Sequence, residues 1–516
     1  VGAHAMTARA AVITAFALTS SLAYANPSEL ADEPTERSLS GLFEIVGNLR
    51  VRSEALYNFD LDHDLTPAGT PLYLVPPSGG QTLTHADMRL RTDLAVYAPT
   101  KYLAIRARID LFDGVALGSK PIGVSATTLS QEPPDSFLIR RAYGEARTAI
   151  GVIAAGRIGS HWGMGLFTNG GDCADCNFGD SADSLQFITS IGGHAWTLAY
   201  DLAATGPAGT RADGRGVDLD RDDDARTLRF SVLRSWGPDG IARRLKANTT
   251  SVEYGAYYAH RSQDRDSVAV PGASGGTFVQ VPRGLSAHVI DGWFRMTAPW
   301  LIVEAEAAVI RAQIDQFSSI PGVLVPMPVK SSQLGAAVRT EVGGDGVIGG
   351  GLDAGYASGD SAPGFGAFPR SLTLAQPGDL DGLQANGITD ASANNFRFHP
   401  DFRIDRILFH EIIGTVTDAL YVRPHVHYRT RALGAGVFTA EVAAIASMAV
   451  EANSTPSGEA PLGIEIDPTV KFASNDGFTI ALEHAVLLPL SGLDNAVKGI
   501  SAKPAQSVRL FLGYAF

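Results

Sequence analysis

The chain ends in the stretch Ala505–Phe516, AQSVRLFLGYAF. Counting back from Phe516, the residues Tyr514, Leu512, Leu510 and Val508 occupy every second position, with Arg509 between them. A period of two is that of a β-strand, whose successive side chains point to opposite faces. The stretch therefore reads as a strand with one continuous apolar face, ending on an aromatic residue, and a cation on its other face.

The same rule governs the start of the chain. In Leu42–Tyr57, LFEIVGNLRVRSEALY, the residues Phe43, Ile45, Leu49, Val51 and Ala55 oppose Glu44, Asn48, Arg50, Arg52 and Glu54. In THADMRLRTDLAVYAP, Met88, Leu90, Leu94 and Val96 oppose Asp87, Arg89, Arg91 and Asp93. In YLAIRARIDLF, Leu103, Ile105, Ile109 and Leu111 oppose Arg106, Arg108 and Asp110. Alternation alone also suits a soluble sandwich with its charges in water. The choice falls on a transmembrane barrel because the strands are long and are joined alternately by short turns and long polar loops. The terminal strand also resembles the closing strand of bacterial outer-membrane barrels, which implies outer-membrane lipid and the barrel assembly machinery as partners. An arginine facing lipid at mid-membrane costs about 2–4 kcal/mol, so the charged face must line the lumen.

Composition fits one large barrel. The chain has 516 residues, two cysteines, 56 glycines and a net charge of −13, and no composition shift marks a domain boundary. Its mean hydropathy is +0.06, and beyond the N-terminus there is no apolar run of the ~18 residues a membrane helix requires. Nothing suggests a nucleic-acid partner. Residues 1–25 read as a cleaved export signal: Met6 as start, Arg9, an apolar Ala10–Leu22, and the small-residue site Ala23-Tyr24-Ala25. Residues 26–41 form a periplasmic tail and 42–516 the barrel. In an oxidising compartment Cys173 and Cys176 favour a local disulfide. A redox or zinc site is disfavoured, for want of a thioredoxin-like helix or of further ligands.

Strands are placed up to Val347–Ser358 and again from Tyr421, about 18 in total and 16–20 as a range, with an all-β antiparallel architecture of short periplasmic turns and long extracellular loops. The outer loops include Phe167–Asp183, Thr205–Asp224 and Gln263–Gly284. Gly359–Thr417 is the longest interruption. Within it DRILFHEII is assigned to a helix or packed loop, because a strand there would make the count odd, and Ile404, Leu408 and Ile412 recur at helical spacing. A loop of this length commonly folds inward or forms a lid.

Three blocks carry a resemblance: GRIGSHWGMGLFTNGGDCADCNFGDSADSLQF (Gly156–Phe187), YASGDS (Tyr356–Ser361) and FRFHPDFRIDRILFHEIIGTVTDALYVRP (Phe396–Pro424). They resemble a poorly characterised family of predicted outer-membrane barrels from delta-proteobacteria. The resemblance implies fold and location and carries over no site residues.

The lumen charge is the main functional signal. Arg50, Arg52, Arg89, Arg91, Arg106, Arg108, Arg141, Arg147 and Arg157 are assigned to the interior, interleaved with Glu44, Glu54, Asp87, Asp93, Asp110 and Glu145. Fixed cations in a wet channel favour anions; a neutralised Arg-carboxylate wall is the competing reading. Glu304, Glu306, Glu465 and Asp467 make an acidic wall opposite, and a transverse field would favour polar solutes. Two acidic runs in outer loops, Asp172, Asp175, Asp180 and Asp183 and then Asp218, Asp220, Asp222, Asp223 and Asp224, could hold calcium, with Asp172, Asp175, Asp180, Asp218, Asp220 and Asp222 the candidate structural ligands, although neither run matches an EF-hand. No other cofactor is expected. His425 and His427 lack a visible third metal ligand. Ser160-His161 cannot share a strand face and Ser160 does not lie in a GxSxG motif, so no enzyme is expected. The sequence thus suggests a porin-like channel for small polar or anionic solutes. The alternatives are a barrel plugged by Gly359–Thr417 that anchors a surface or envelope complex, and a conduit for an acidic polysaccharide.

Overall fold

The computed structural model describes residues 42–516 apart from 116, 118–119, 122–130, 133–135, 205–207, 270–277, 319–322, 345, 368–373 and 433–434. The expected export signal and tail lie outside the described residues.

Eighteen strands form one antiparallel sheet that closes on itself. They are β1 (Phe43–Tyr57), β2 (Thr82–Tyr97), β3 (Leu103–Leu111), β4 (Phe137–Thr148), β5 (Gly151–Gly159), β6 (Ser181–Ile191), β7 (His194–Ala204), β8 (Ala225–Arg234) and β9 (Ser251–Ala269). Then follow β10 (Phe278–Thr297), β11 (Leu301–Ile314), β12 (Val329–Val342), β13 (Ile348–Ala357), β14 (Ala419–Ala432), β15 (Gly436–Ala449), β16 (Pro461–Ser474), β17 (Phe478–Pro489) and β18 (Ala505–Ala515). Each strand pairs with its neighbours in sequence, and β18 pairs with β1 in the register Arg50↔Gly513 to Tyr57↔Gln506, which leaves no free edge. The transmembrane β-barrel expected from the alternation is thus the observed fold. Val508, Leu510, Tyr514 and Phe516 face outward with 38–48% of their surface exposed, while Arg509 turns inward to Glu483.

Two elements exceed the sequence reading. Most of Gln263–Gly284, expected as an outer loop, continues β9 and β10 beyond the barrel as a paired ribbon. Polar cross-strand pairs explain this: Arg265 Nη1 donates to Gln280 at 2.9 Å and Arg283 Nη2 pairs with Asp266 at 2.8 Å. At the opposite end, the turn after β8 forms helix α1 (Gly237–Lys246), with a proline in its first turn. Trp236 lies beneath Arg234 and Arg244, at 5.3 and 4.4 Å.

Within 359–417, Phe365 and the stretch 396–416 do not cover the barrel from outside but enter it. Phe365, Phe396, Phe398, Phe402, Ile407, Phe409 and Ile412 are buried together with wall residues Ala337, Tyr421, Ala443 and Leu487. Phe398 packs edge-to-face on Phe396, Phe402 and Tyr421, with centroids 5.8, 5.3 and 6.5 Å away. Each such side chain contributes about 1.5–3 kcal/mol by burial. Gly335 makes the socket possible, since a Cβ there would fall within the Phe396 ring.

Candidate pore constriction

The disulfide segment, expected as the outer loop Phe167–Asp183, is also inside the lumen, and the arginines of β1–β4 hold it there. Arg50 Nη1 donates to the Cys176 carbonyl at 3.0 Å, and Arg89 donates to the carbonyls of Cys176 and Ala174 at 2.5 and 2.9 Å. Arg91 donates to the Gly171 carbonyl, and Arg141 to the Gly170 carbonyl at 2.6 Å. Asp172 pairs with Arg108 and, at 2.8 Å, with Arg141. The reason for the inward turn is donor supply. A guanidinium carries five N–H groups, more than the wall carboxylates absorb, and a loop rich in carbonyls satisfies the rest. Cys173 and Cys176 are joined by a disulfide. Gly171, at φ 67°, allows the backbone of Phe178 and Gly179 to pass against it.

The other wall does the reverse: its carboxylates accept N–H groups. Glu465 Oε1 accepts from the backbone N–H of Arg406 and Ile407, both at 2.8 Å, and Oε2 from Leu408 at 3.1 Å. Asp405 accepts from Phe409 and His410 at 2.8 and 3.0 Å. These bonds cap the N-terminus of Leu408–Ile413, which is one π-helical turn ending at Gly414, φ 102°. Glu306 accepts from the Met164 backbone N–H, and Trp162 Nε1 donates to Asp291 at 3.1 Å.

Asp175 links the two infolded segments to the wall. It pairs with Arg403 at 2.8 Å, Arg509 at 2.9 Å and Arg52 at 3.1 Å. Asp401 adds a second link by accepting from the N–H groups of Asn177 and Phe178, both at 2.9 Å. Burial opposes ionisation of Asp175, but Arg403, Arg509 and Arg52 outweigh it and hold its carboxyl far below the ordinary range. Burial, then the charge of Glu465, holds the Asp405 carboxyl well above it. Burial and then Arg403 keep His410 well below the usual imidazole range.

Between these segments and the wall lies a chamber of about 240 Å³, lined by four arginines (403, 406, 423, 509) and by Glu54, Asp175, Asp405, Glu411, Glu441, Asp467 and Glu483. Each of its arginines is already paired: Arg406 with Glu483 at 2.6 Å, Arg423 with Asp353 and Glu441 at 3.1 and 3.2 Å, Arg403 with Asp175, and Arg509 with Glu483.

The remaining sequence candidates distribute as follows. Arg52 pairs with Asp87, Arg91 with Asp110, Arg108 with Asp93 and Arg106 with Glu145, at 2.7–2.9 Å. Glu44 accepts from Tyr97, Glu54 lies beside Arg509, and Glu304 accepts from Trp293 Nε1 at 2.9 Å. Arg147 is half-buried at the turn end of β4. Arg157 departs from expectation. It points outward and pairs with Asp183, both about half exposed, because Val152, Ala154 and Ile158 take the inner face of β5. The first calcium set does not converge: Asp172 and Asp175 are matched by arginines, and Asp180 accepts from Thr168 Oγ1 and the Asn169 N–H at 2.9 and 3.1 Å. In the second, Asp220 caps the turn Arg221–Asp223 by accepting from the Asp222 N–H, and Asp222 is exposed. His425 and His427 both approach Glu341, at 2.9 and 3.3 Å. Sequence reading did not find Asp401, Arg403, Arg406 or Glu341, since a contact between a loop and a distant strand leaves no periodic trace.

No family model and no curated protein matches the chain. Among solved structures, OccK9 (OpdG) of Pseudomonas aeruginosa is similar at 11% identity and TM-score 0.49, with 92% of this chain and 98% of that one covered. OccK11 (OpdR) of the same organism has 10% identity and TM-score 0.45, with 92% and 96% covered. The loop L8 deletion mutant of OmpT, an outer membrane protein of Vibrio cholerae, has 9% identity and TM-score 0.37, with 92% and 99% covered.

Proposed function

We propose that the protein is a constricted outer-membrane channel that passes small polar solutes through the charged chamber between its infolded segments and the barrel wall. The observation that carries this is the chamber itself, about 240 Å³ in volume and lined almost wholly by ionisable and hydroxyl side chains. Rings of charged side chains at a constriction discriminate by charge and hydration rather than by size alone.

The lumen arginines do not act as a free anion filter in this reading. Arg50, Arg52, Arg89, Arg91, Arg108 and Arg141 are engaged with carbonyls and carboxylates of the disulfide segment, and the chamber holds seven carboxyls to four arginines. Zwitterions and neutral polar solutes fit such a lining better than anions, which weighs against an acidic-polysaccharide conduit. One observation favours a second reading, a plugged scaffold: the aromatic core around Phe398 fixes the stretch 396–416 firmly to the wall. Single-channel recording of the purified chain in planar bilayers, under a salt gradient, separates the two. Small discrete steps without anion preference support the channel. Silence from a correctly folded barrel supports the scaffold.

A further inference from the structure

The loop between β7 and β8 carries a carboxylate group that serves neither the constriction nor the wall. One carboxylate oxygen each of Asp218, Asp223 and Asp224 lies within 4.8 Å of the others. Two of the three residues are nine-tenths buried or more, Asp223 at 2% exposure and Asp224 at 8%. In both, Oδ1 is buried without a hydrogen-bond partner.

The surrounding donors reach other atoms and leave both of these Oδ1 atoms without a partner. Ser267 Oγ donates to Asp223 Oδ2, and Gln263 Nε2 to the Asp223 carbonyl at 2.9 Å. Arg226 Nη2 stands 3.9 Å from Asp224 Oδ2 and donates instead to the Arg221 carbonyl. Asp218 Oδ1 accepts from the Asp220 N–H at 3.0 Å. Burying carboxylates costs several kcal/mol each unless a cation or donor compensates, and Oδ1 of Asp223 and Oδ1 of Asp224 have no hydrogen-bond donor.

We propose that Asp218, Asp223 and Asp224 form a binding site for a hard divalent cation of the calcium class. The donor set is all carboxylate oxygen, with no imidazole or thiolate, which suits calcium, magnesium or manganese rather than zinc or copper. Calcium tolerates an irregular, partly protein-built shell, whereas magnesium demands a tight octahedron and gives up its water reluctantly. A bound ion would fasten this loop to the β9–β10 ribbon, which Asp223 already touches through Ser267 and Gln263. The site lies apart from the chamber and does not depend on the channel reading.

The test is calorimetric titration of the chelator-treated full chain, folded in lipopolysaccharide-free detergent, with calcium chloride and separately with magnesium chloride. Saturable uptake of one calcium ion per chain, with magnesium weaker, is expected. Asp224→Asn and, as a second variant at an exposed position, Asp218→Asn should each weaken calcium binding at least tenfold. Asp222→Asn, which removes an exposed acid of the same run, should leave it unchanged, and all variants should keep the β-rich circular dichroism of the parent. No saturable uptake by the folded parent would overturn the proposal, as would equal losses in Asp222→Asn and Asp224→Asn.

Discussion

Asp175→Asn is the most informative single change, because this residue joins the disulfide segment, the segment 359–417 and the wall at one carboxylate. The substitution keeps the shape of the side chain and removes three charge-assisted contacts, to Arg403 at 2.8 Å, Arg509 at 2.9 Å and Arg52 at 3.1 Å. Arg52 retains Asp87 and Arg509 retains Glu483, so the loss falls mainly on the link to Arg403. Breaking a fully buried ion pair from one side costs about 3–5 kcal/mol; this pair is part-buried, so the expected cost is about 2–3 kcal/mol, a shift of roughly one and a half to two powers of ten between docked and undocked segments. The lumen also loses one negative charge among arginines. Single-channel recording should therefore show larger or rapidly fluctuating steps and a reversal potential displaced toward anions, and added protease should cut the segment 160–180 faster. Steps, selectivity and cleavage identical to the parent would refute the claim that Asp175 latches the constriction. Acid should act on the same latch. The folded-state carboxyl is depressed, so its contribution is intact above about pH 4, the ordinary range for aspartate, and is lost only as pH falls below that.

Three further outcomes follow from the same geometry. Gly335→Ala places a methyl group where the Phe396 ring lies, so it should undock the aromatic core, lower thermal stability by about 1–3 kcal/mol as overpacking does, and raise conductance. Burial pushes the Asp418 carboxyl up to about 7, so the folded state keeps a proton that the unfolded chain has released. Stability should fall as pH rises from about 4 to 7, by on the order of 4 kcal/mol, and Asp418→Asn should flatten that dependence in thermal melts. Glu465→Gln retains an acceptor but loses the charge facing three backbone N–H groups at 2.8–3.1 Å; hydrogen exchange at Ile407 and Leu408 should accelerate at least tenfold, while exchange within β16 should not.

The barrel was legible because its constraint is periodic. Alternation in Leu42–Tyr57 or Ala505–Phe516 states which face meets lipid, and a closed sheet leaves few ways to arrange such strands. Counting parity sufficed to keep Ile404–Ile413 out of the sheet. Position inside or outside the lumen was not legible for the connections. The CADC segment has the polar, glycine-rich composition of any exposed loop, and what draws it inward is the arginine surplus on β1–β4, which is distant in sequence. The same arginines suggested an anion filter when their partners were unseen. Arg157 was misplaced for a related reason: beside Gly156 and Gly159, alternation over β5 is too weak to fix a face, and Val152, Ala154 and Ile158 decide it. The acidic run Asp218–Asp224 was legible as a whole, with Asp218, Asp220 and Asp222 as its expected ligands, whereas the turn at Arg221–Asp223 brings Asp223 and Asp224 to Asp218 instead.

The central claim is that solutes cross through the chamber between the infolded segments and the wall formed by β14–β18 and β1. Thr469 lines that chamber and receives Arg406 Nη2 at 3.2 Å, while its neighbour Val470 faces outward at 45% exposure. Both described native cysteines are bonded to each other, so an introduced thiol is the one that reacts. Thr469→Cys should be recorded in planar bilayers before and after a cationic methanethiosulfonate reagent, with Val470→Cys beside it. The account predicts a stepwise fall in single-channel current for Thr469→Cys and none for Val470→Cys. Unchanged current after complete labelling of Thr469→Cys would contradict it.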